Sequence, residues 1–160
     1  MKDYIKFILS MVFCLGAGFL GSLVTITGPG SWYQTITKPP ITPPGIVFPI
    51  AWTILYILMG ISLFMVWSQP QKYRKDPEKK KTALALFGLQ LFFNVLWSYL
   101  FFGLQSPIFG LFCIFILVGL VAITIIKFYE LHEKAAYLLM PYLLWICFAT
   151  ILNLWIVILN

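Results

Sequence analysis

Five stretches of this chain stay apolar for about 20 residues each. They run over 4–26, 46–68, 82–103, 107–129 and 135–159, with polar or proline-rich segments between them. Each is long enough to cross a bilayer as a helix and too continuous for barrel strands, which alternate every second residue. A spanning chain must satisfy its own backbone, so the pattern predicts an all-α fold. The expected architecture is an integral membrane bundle of five transmembrane helices, a single domain over 1–160. The first run follows Lys2 and Lys6, as a signal peptide would. It stays apolar to Ile26, past a signal core of about 7–15 residues, and no A-x-A-like site follows, so it reads as a retained span.

Punctuation between the runs sets the connections. Residues 27–45 form a lid loop that belongs to the stretch "WYQTITKPPITPPGIVF", Trp32 to Phe48, with prolines at 39, 40, 43 and 44. Ser106–Pro107 supplies an N-cap and first-turn proline for the fourth span, and Thr42–Pro43 offers the same start for the second. The third and fourth loops are short, so the third, fourth and fifth spans are expected as antiparallel neighbours. Small residues (Cys14, Ala17, Gly18, Gly21, Ser22, Gly110, Gly119) mark close packing, and the small-xxx-small pairs can serve a homodimer or ordinary intramolecular contact.

Composition agrees with the pattern. Of 160 residues 61% are hydrophobic and only 10% charged, with mean hydropathy +0.95, against about a quarter charged in soluble domains. The net charge of +6 is not a nucleic-acid signal, because ten of the eleven basic residues lie on one side of the five spans. These are Lys2 and Lys6, then Lys72, Arg74, Lys75, Lys79, Lys80 and Lys81, then Lys127 and Lys134; the other side has only Lys38. The positive-inside rule then places the N-terminus in the cytoplasm and the C-terminus and lid outside. Membrane lipid is the expected partner of the basic loop, and no nucleic acid is expected. Lack of an Arg/Ser-rich leader favours a bacterial plasma membrane.

The interior of the spans holds no acidic residue and no histidine. Asp3, Asp76, Glu78, Glu130, Glu133 and His132 all lie outside the spans or at their ends. That lowers the odds of proton-coupled transport, histidine-dependent hydrolysis and histidine-ligated haem. His132 reads as a solvated loop residue. Cys14, Cys113 and Cys147 have no paired spacing and read as small core residues, not a disulfide or metal set.

What the spans do hold is aromatic and amide. Trp67 and Trp155 fit an interfacial belt, but Trp52 and Trp97 lie roughly 9 Å, and Trp145 roughly 20 Å, below the outer helix ends. On the third span Gln90, Asn94, Trp97, Ser98 and Phe101 share one face. Tyr142, Trp145, Ala149 and Asn153 do so on the fifth, and Trp52 and Tyr56 lie one turn apart on the second. Pro141 interrupts the fifth span and frees the carbonyl of Tyr137. Amides in hydrocarbon need partners, so these faces point inward. They serve either as interhelical glue or as the lining of an aromatic cavity with a few polar groups, suited to a flat hydrophobic ligand.

Three segments carry a resemblance: "WYQTITKPPITPPGIVFPIAWTILYILMG", "FNVLWSYLFFG" and "PYLLWICFATILNLW". In order and on the right spans, they resemble the signature regions of the TspO/MBR family, the tryptophan-rich sensory and translocator proteins once called peripheral-type benzodiazepine receptors. The resemblance implies a five-helix bundle with a cavity opening toward the first loop. It also implies binding of porphyrins, notably protoporphyrin IX, with sterols and isoquinoline or benzodiazepine drugs as further ligands of the family. Homodimers are common among bacterial members, and several promote light-dependent porphyrin breakdown. By motif position the implied ligand-binding residues are Trp32, Tyr33, Trp52, Tyr56, Asn94, Trp97, Ser98, Tyr142, Trp145 and Ala149. No cofactor is required, porphyrin being the ligand and no metal site being implied. Photochemistry would place Trp52 and Trp145 as its redox participants.

The chain departs from the family pattern at three places. Ile41 and Ile46 stand where the lid usually has tryptophans, Tyr99 replaces a frequent proline, and "LNLWIVILN" lacks the animal sterol motif. The functions expected are therefore a porphyrin receptor or transporter acting in tetrapyrrole sensing, transport or regulation, a light-dependent porphyrin-degrading enzyme, or a structural, partner-binding membrane protein. A lysine at the mouth, Lys38, could pair with a propionate or simply be solvated.

Overall fold

The computed structural model describes residues 1–69 and 77–160. Lys72, Arg74 and Lys75 of the basic loop lie outside the described residues. The described residues form five long helices: α1 (Asp3–Ser22), α3 (Val47–Trp67), α4 (Pro77–Ser98), α5 (Pro107–Leu131) and α6 (Glu133–Leu159). A single turn, α2 (Trp32–Thr35), lies within the lid, and α4 continues as a π-helical turn over Tyr99–Gly103. All five long helices, α4 with its π turn, are long and apolar enough to span a membrane. Among the described residues there is no strand. The protein is an all-α integral membrane bundle.

The helix ends have local causes. α1 stops at Ser22, short of Ile26, where the Ser22 and Thr25 hydroxyls donate to the carbonyls of Phe19 (2.6 Å) and Gly21 (2.8 Å). These add side-chain donors to the last carbonyls of the helix, Gly21 also accepting from the Val24 N–H at 3.4 Å. Thr42 does not cap α3, contrary to the sequence expectation. Its N–H and hydroxyl both reach the Pro39 carbonyl, at 3.0 and 2.7 Å, and close a turn inside the lid. Ser106 does cap α5, accepting from the Phe109 N–H at 3.4 Å. His132 is half-buried rather than solvated, and its Nδ1 accepts from the Ala135 N–H at 3.4 Å as the N-cap of α6. α6 runs through Pro141 as one helix.

The helices close into a ring in the order α1, α3, α6, α5, α4. Glycines set the close approaches. A Cβ on Gly18 of α1 would stand 2.6 Å from the Tyr56 ring of α3, and one on Gly60 of α3 would stand 2.6 Å from Met11 Sδ and 3.3 Å from its Cα. The Ser62 hydroxyl donates to the Ala135 carbonyl at 2.7 Å where α3 crosses α6. Cys14 and Cys113 are buried, but Cys147 is exposed on α6, so only two of the three cysteines are core residues.

This ring makes the lid's path informative. α1 and α3 pack side by side, so a few residues would join them. Instead the chain from Leu23 to Ile46 crosses the end of α4, where Trp32 meets Phe101, and then the end of α6, where Thr37 meets Asn160. It returns to α3 only after covering the far side of the ring.

Candidate functional site: an aromatic cluster beneath the lid

The floor is polar and buried, with Gln90 Nε2 left without a hydrogen-bond partner among the described residues. Tyr56 of α3 donates to Asn94 Oδ1 of α4 at 2.5 Å. Asn94 Nδ2 donates to the Tyr142 hydroxyl of α6 at 2.9 Å, and that hydroxyl donates to Gln90 Oε1 at 3.0 Å. Relative exposures are 9% for Tyr56, 3% for Asn94, 0% for Tyr142 and 1% for Gln90, so these four groups face each other and not open space. Amides and phenols placed in an apolar interior are costly unless paired, which fixes their mutual geometry.

The walls are aromatic and half-buried. On the α3–α6 side Trp52 stacks on Tyr56 (5.6 Å between centroids, 28°) and meets Tyr142 edge-on at 6.2 Å. Trp145 meets Phe48 at 6.0 Å and Phe148 at 5.8 Å. On the α4 side Trp97 stacks on Phe101 (5.2 Å, 23°) and lies edge-on to Phe102 at 5.9 Å. Lid rings complete this cluster: Trp32 against Phe101 at 5.7 Å and Tyr33 against Phe102 at 5.6 Å. Trp32, Tyr33, Trp52, Trp97, Trp145 and Ala149 are all half-buried.

The π turn aims the second cluster. Its wide hydrogen bond, Leu104 N–H to Tyr99 carbonyl at 2.8 Å, fits one more residue into the turn. Successive rings at 101 and 102 can then both reach Trp97. Asn153 fixes the indole: Trp97 Nε1 donates to Asn153 Oδ1 at 3.1 Å, while Asn153 Nδ2 donates to the Pro107 carbonyl at 2.8 Å. Gly110 makes room, since a Cβ there would come within 3.0 Å of both Asn153 Oδ1 and the Phe101 ring.

Of the ten residues named from the sequence, Ser98 is set apart. Its hydroxyl oxygen lies 3.3 Å from where a Cβ on Gly21 would stand, at the α1–α4 contact. Lys38 is neither solvated nor free to swing. Its ammonium donates to the Tyr33 carbonyl at 2.7 Å and the Ile36 carbonyl at 3.3 Å, and sits 4.7 Å from the Tyr33 ring centre. Burial pushes the Tyr33 hydroxyl above its ordinary pKa. Ile41 and Ile46 are exposed. Asn153, which the spacing had put on the inward face of the fifth span, joins the aromatic rings, and so do Phe48 and Phe102, which the sequence did not single out. Phe48 precedes Trp52 by one helical turn, a spacing that could have found it; the inward turn of Phe102 depends on the π turn and had no signal. An open groove of about 480 Å³ lies elsewhere, on the outer face of α1 along Phe7, Met11, Leu15 and Phe19. It is lined by apolar groups and faces the bilayer.

These features define a five-helix integral membrane protein with a tryptophan-rich interior roofed by a structured loop. The chain belongs to the TspO/MBR family, whose profile matches residues 10–159. It is 44% identical over 158 residues to the tryptophan-rich protein TspO of Archaeoglobus fulgidus, covering 99% of each chain. It is 39% identical over 160 residues to that of Chlorobaculum tepidum (99% of this chain, 98% of the relative). Against the translocator protein of Bos taurus the identity is 34% over 136 residues, covering 85% of this chain and 79% of the relative.

Proposed function

We propose that this protein is a membrane receptor or transporter-like protein that binds porphyrins, protoporphyrin IX first, and other flat hydrophobic molecules beneath the lid. Its role would be tetrapyrrole sensing, transport or regulation. The observation that carries this is the division of the interior. Asn94, Tyr142, Tyr56 and Gln90 form a buried, hydrogen-bonded floor, while Trp52, Trp97 and Trp145 remain half-buried above it. Indole faces left partly free are the groups that stack on a planar ring system. The names of the relatives, sensory and translocator protein, fit such a role. Titrating protoporphyrin IX into purified protein and following tryptophan quenching tests it. Wild type should saturate, and Trp52→Phe/Trp145→Phe should quench less and bind more weakly. Identical curves would sink the assignment.

One further observation favours a light-dependent reading of the same site. Trp52 touches both Tyr56 and Tyr142, so three oxidisable rings are contiguous in the aromatic cluster. In that reading dioxygen oxidises the illuminated porphyrin, with Trp52 and Trp145 as redox participants. Loss of the Soret band with a defined product would support it, and bleaching at the rate of free porphyrin would reject it.

The orientation belongs to the proposal as well. The end bearing Lys79, Lys81, Lys127 and Lys134 faces the cytoplasm of a bacterial plasma membrane, and the lid faces outward. Reporter fusions after Asn160 that are active only outside the cytoplasm test it.

A further inference from the structure

The lid is tied down at two places that differ in kind. On the α4 side two half-buried rings, Trp32 and Tyr33, dock on Phe101 and Phe102. On the α6 side the exposed Asn160 side chain holds the main chain at Thr37, two residues before the buried Pro39. Asn160 Oδ1 accepts from the Thr37 N–H at 2.9 Å, and Asn160 Nδ2 donates to the Thr37 carbonyl at 2.9 Å. An amide side chain thus pairs with a main-chain amide as a neighbouring strand would. The same Nδ2 donates to the Ile156 carbonyl at 2.9 Å, which fixes the side chain against its own helix.

Between the two anchors the lid is stiff. The Lys38 ammonium ties Tyr33 to Ile36 through their carbonyls, and Thr42 closes onto Pro39. Prolines at 39, 40, 43 and 44 fix φ along the return to α3. A body this constrained moves as a unit, so it opens at whichever anchor yields first. Ring docking excludes water and buries apolar surface. The Thr37–Asn160 pair is exposed, where water or a lipid headgroup can take over both hydrogen bonds.

We propose that the Thr37–Asn160 pair is the release point of the lid. When it lets go, the segment from Ile36 to Pro44 swings on the Trp32/Tyr33 anchor and uncovers the α3–α6 side of the cluster. That side carries the half-buried Phe48, Trp52 and Trp145. Asn160 is then a gating residue that contacts no ligand, and it sets how fast molecules pass, not how tightly they bind.

The test uses full-length protein in lipid nanodiscs, and its ligand arm rests on the porphyrin reading above. Hydrogen exchange is read first, without ligand. Asn160→Ala should exchange the Thr37 amide about tenfold faster, as loss of two neutral hydrogen bonds implies, with amides around Ile146 unchanged. Thr37→Ala should exchange like wild type, because both bonds run to the main chain. Protoporphyrin IX association and dissociation are then followed by tryptophan quenching. In Asn160→Ala both rates should rise severalfold together, leaving Kd within about twofold. Unchanged Thr37 exchange in Asn160→Ala overturns the release point, and so does faster exchange with unchanged porphyrin rates. Failure of the wild type to bind protoporphyrin removes the binding reading instead, and the exchange arm then decides the latch by itself.

Discussion

Asn94 of α4 donates to the hydroxyl of Tyr142 of α6 across the middle of the bundle at 2.9 Å, and both side chains are buried. Asn94 also accepts from Tyr56, so one amide joins three helices. That places Asn94 and Tyr142 in the buried framework of the bundle, beneath the half-buried indoles of Trp52, Trp97 and Trp145.

Tyr142→Phe should therefore be a stability variant. It removes the hydroxyl that serves both Asn94 and Gln90 and leaves their polar atoms buried without it. The expected cost is about 1–2 kcal/mol, less than a comparable deletion in a water-soluble core because the membrane-embedded unfolded state finds other partners. Thermal unfolding in detergent should show a lower midpoint, with porphyrin affinity moving by less than about twofold once the protein is folded.

Trp52→Phe and Trp145→Phe should behave in the opposite way. Both indoles are half-buried, so the fold loses little packing. Protoporphyrin affinity should fall about five- to tenfold for each, the loss of roughly 1 kcal/mol of ring stacking. Melting midpoints near wild type combined with weakened quenching would establish the separation of walls from floor. Equal effects on stability and affinity would remove it.

Asn153 offers a test of how the second wall is held. Asn153→Ala releases Trp97 Nε1 and unties the Pro107 carbonyl. In a variant keeping only Trp97 among the tryptophans, the indole emission should broaden and become more accessible to a small quencher such as acrylamide. Trp97→Phe should cost about 1 kcal/mol in stability because it leaves the buried Asn153 oxygen without its donor.

Two glycines on α1 should respond with opposite signs. Gly18→Ala drives a methyl to 2.6 Å from the Tyr56 ring, and overpacking of this kind costs about 1–3 kcal/mol. It should also disturb the Trp52–Tyr56 stack. Gly16→Ala meets nothing within 4 Å and should be neutral or stabilising by up to about 1 kcal/mol through helix propensity. Melting curves of the two variants decide the matter directly.

The sequence by itself determined the class of the protein. Hydrophobic runs of spanning length leave no soluble alternative, and a spacing of three and four put Gln90, Asn94 and Trp97 on one face of α4. Family motifs carried the ten candidate positions, most of which the fold gathers under the lid. Periodicity says which way a side chain leaves its own helix, but not which group on another helix stands opposite. That depends on the depth and rotation of each helix in the ring. So only the tertiary structure divided the ten into a buried floor of Tyr56, Asn94 and Tyr142, a half-buried wall of five aromatic rings with Ala149, and Ser98, turned to Gly21 of α1. The π turn that brings Phe102 inward lies in a stretch whose apolar pattern matches an ordinary helix. The last decision joined Thr37 to Asn160 across 123 positions of chain. Neither residue is apolar or charged in a way a pattern could flag, and only the detour of the lid across α4 and α6 brings them together.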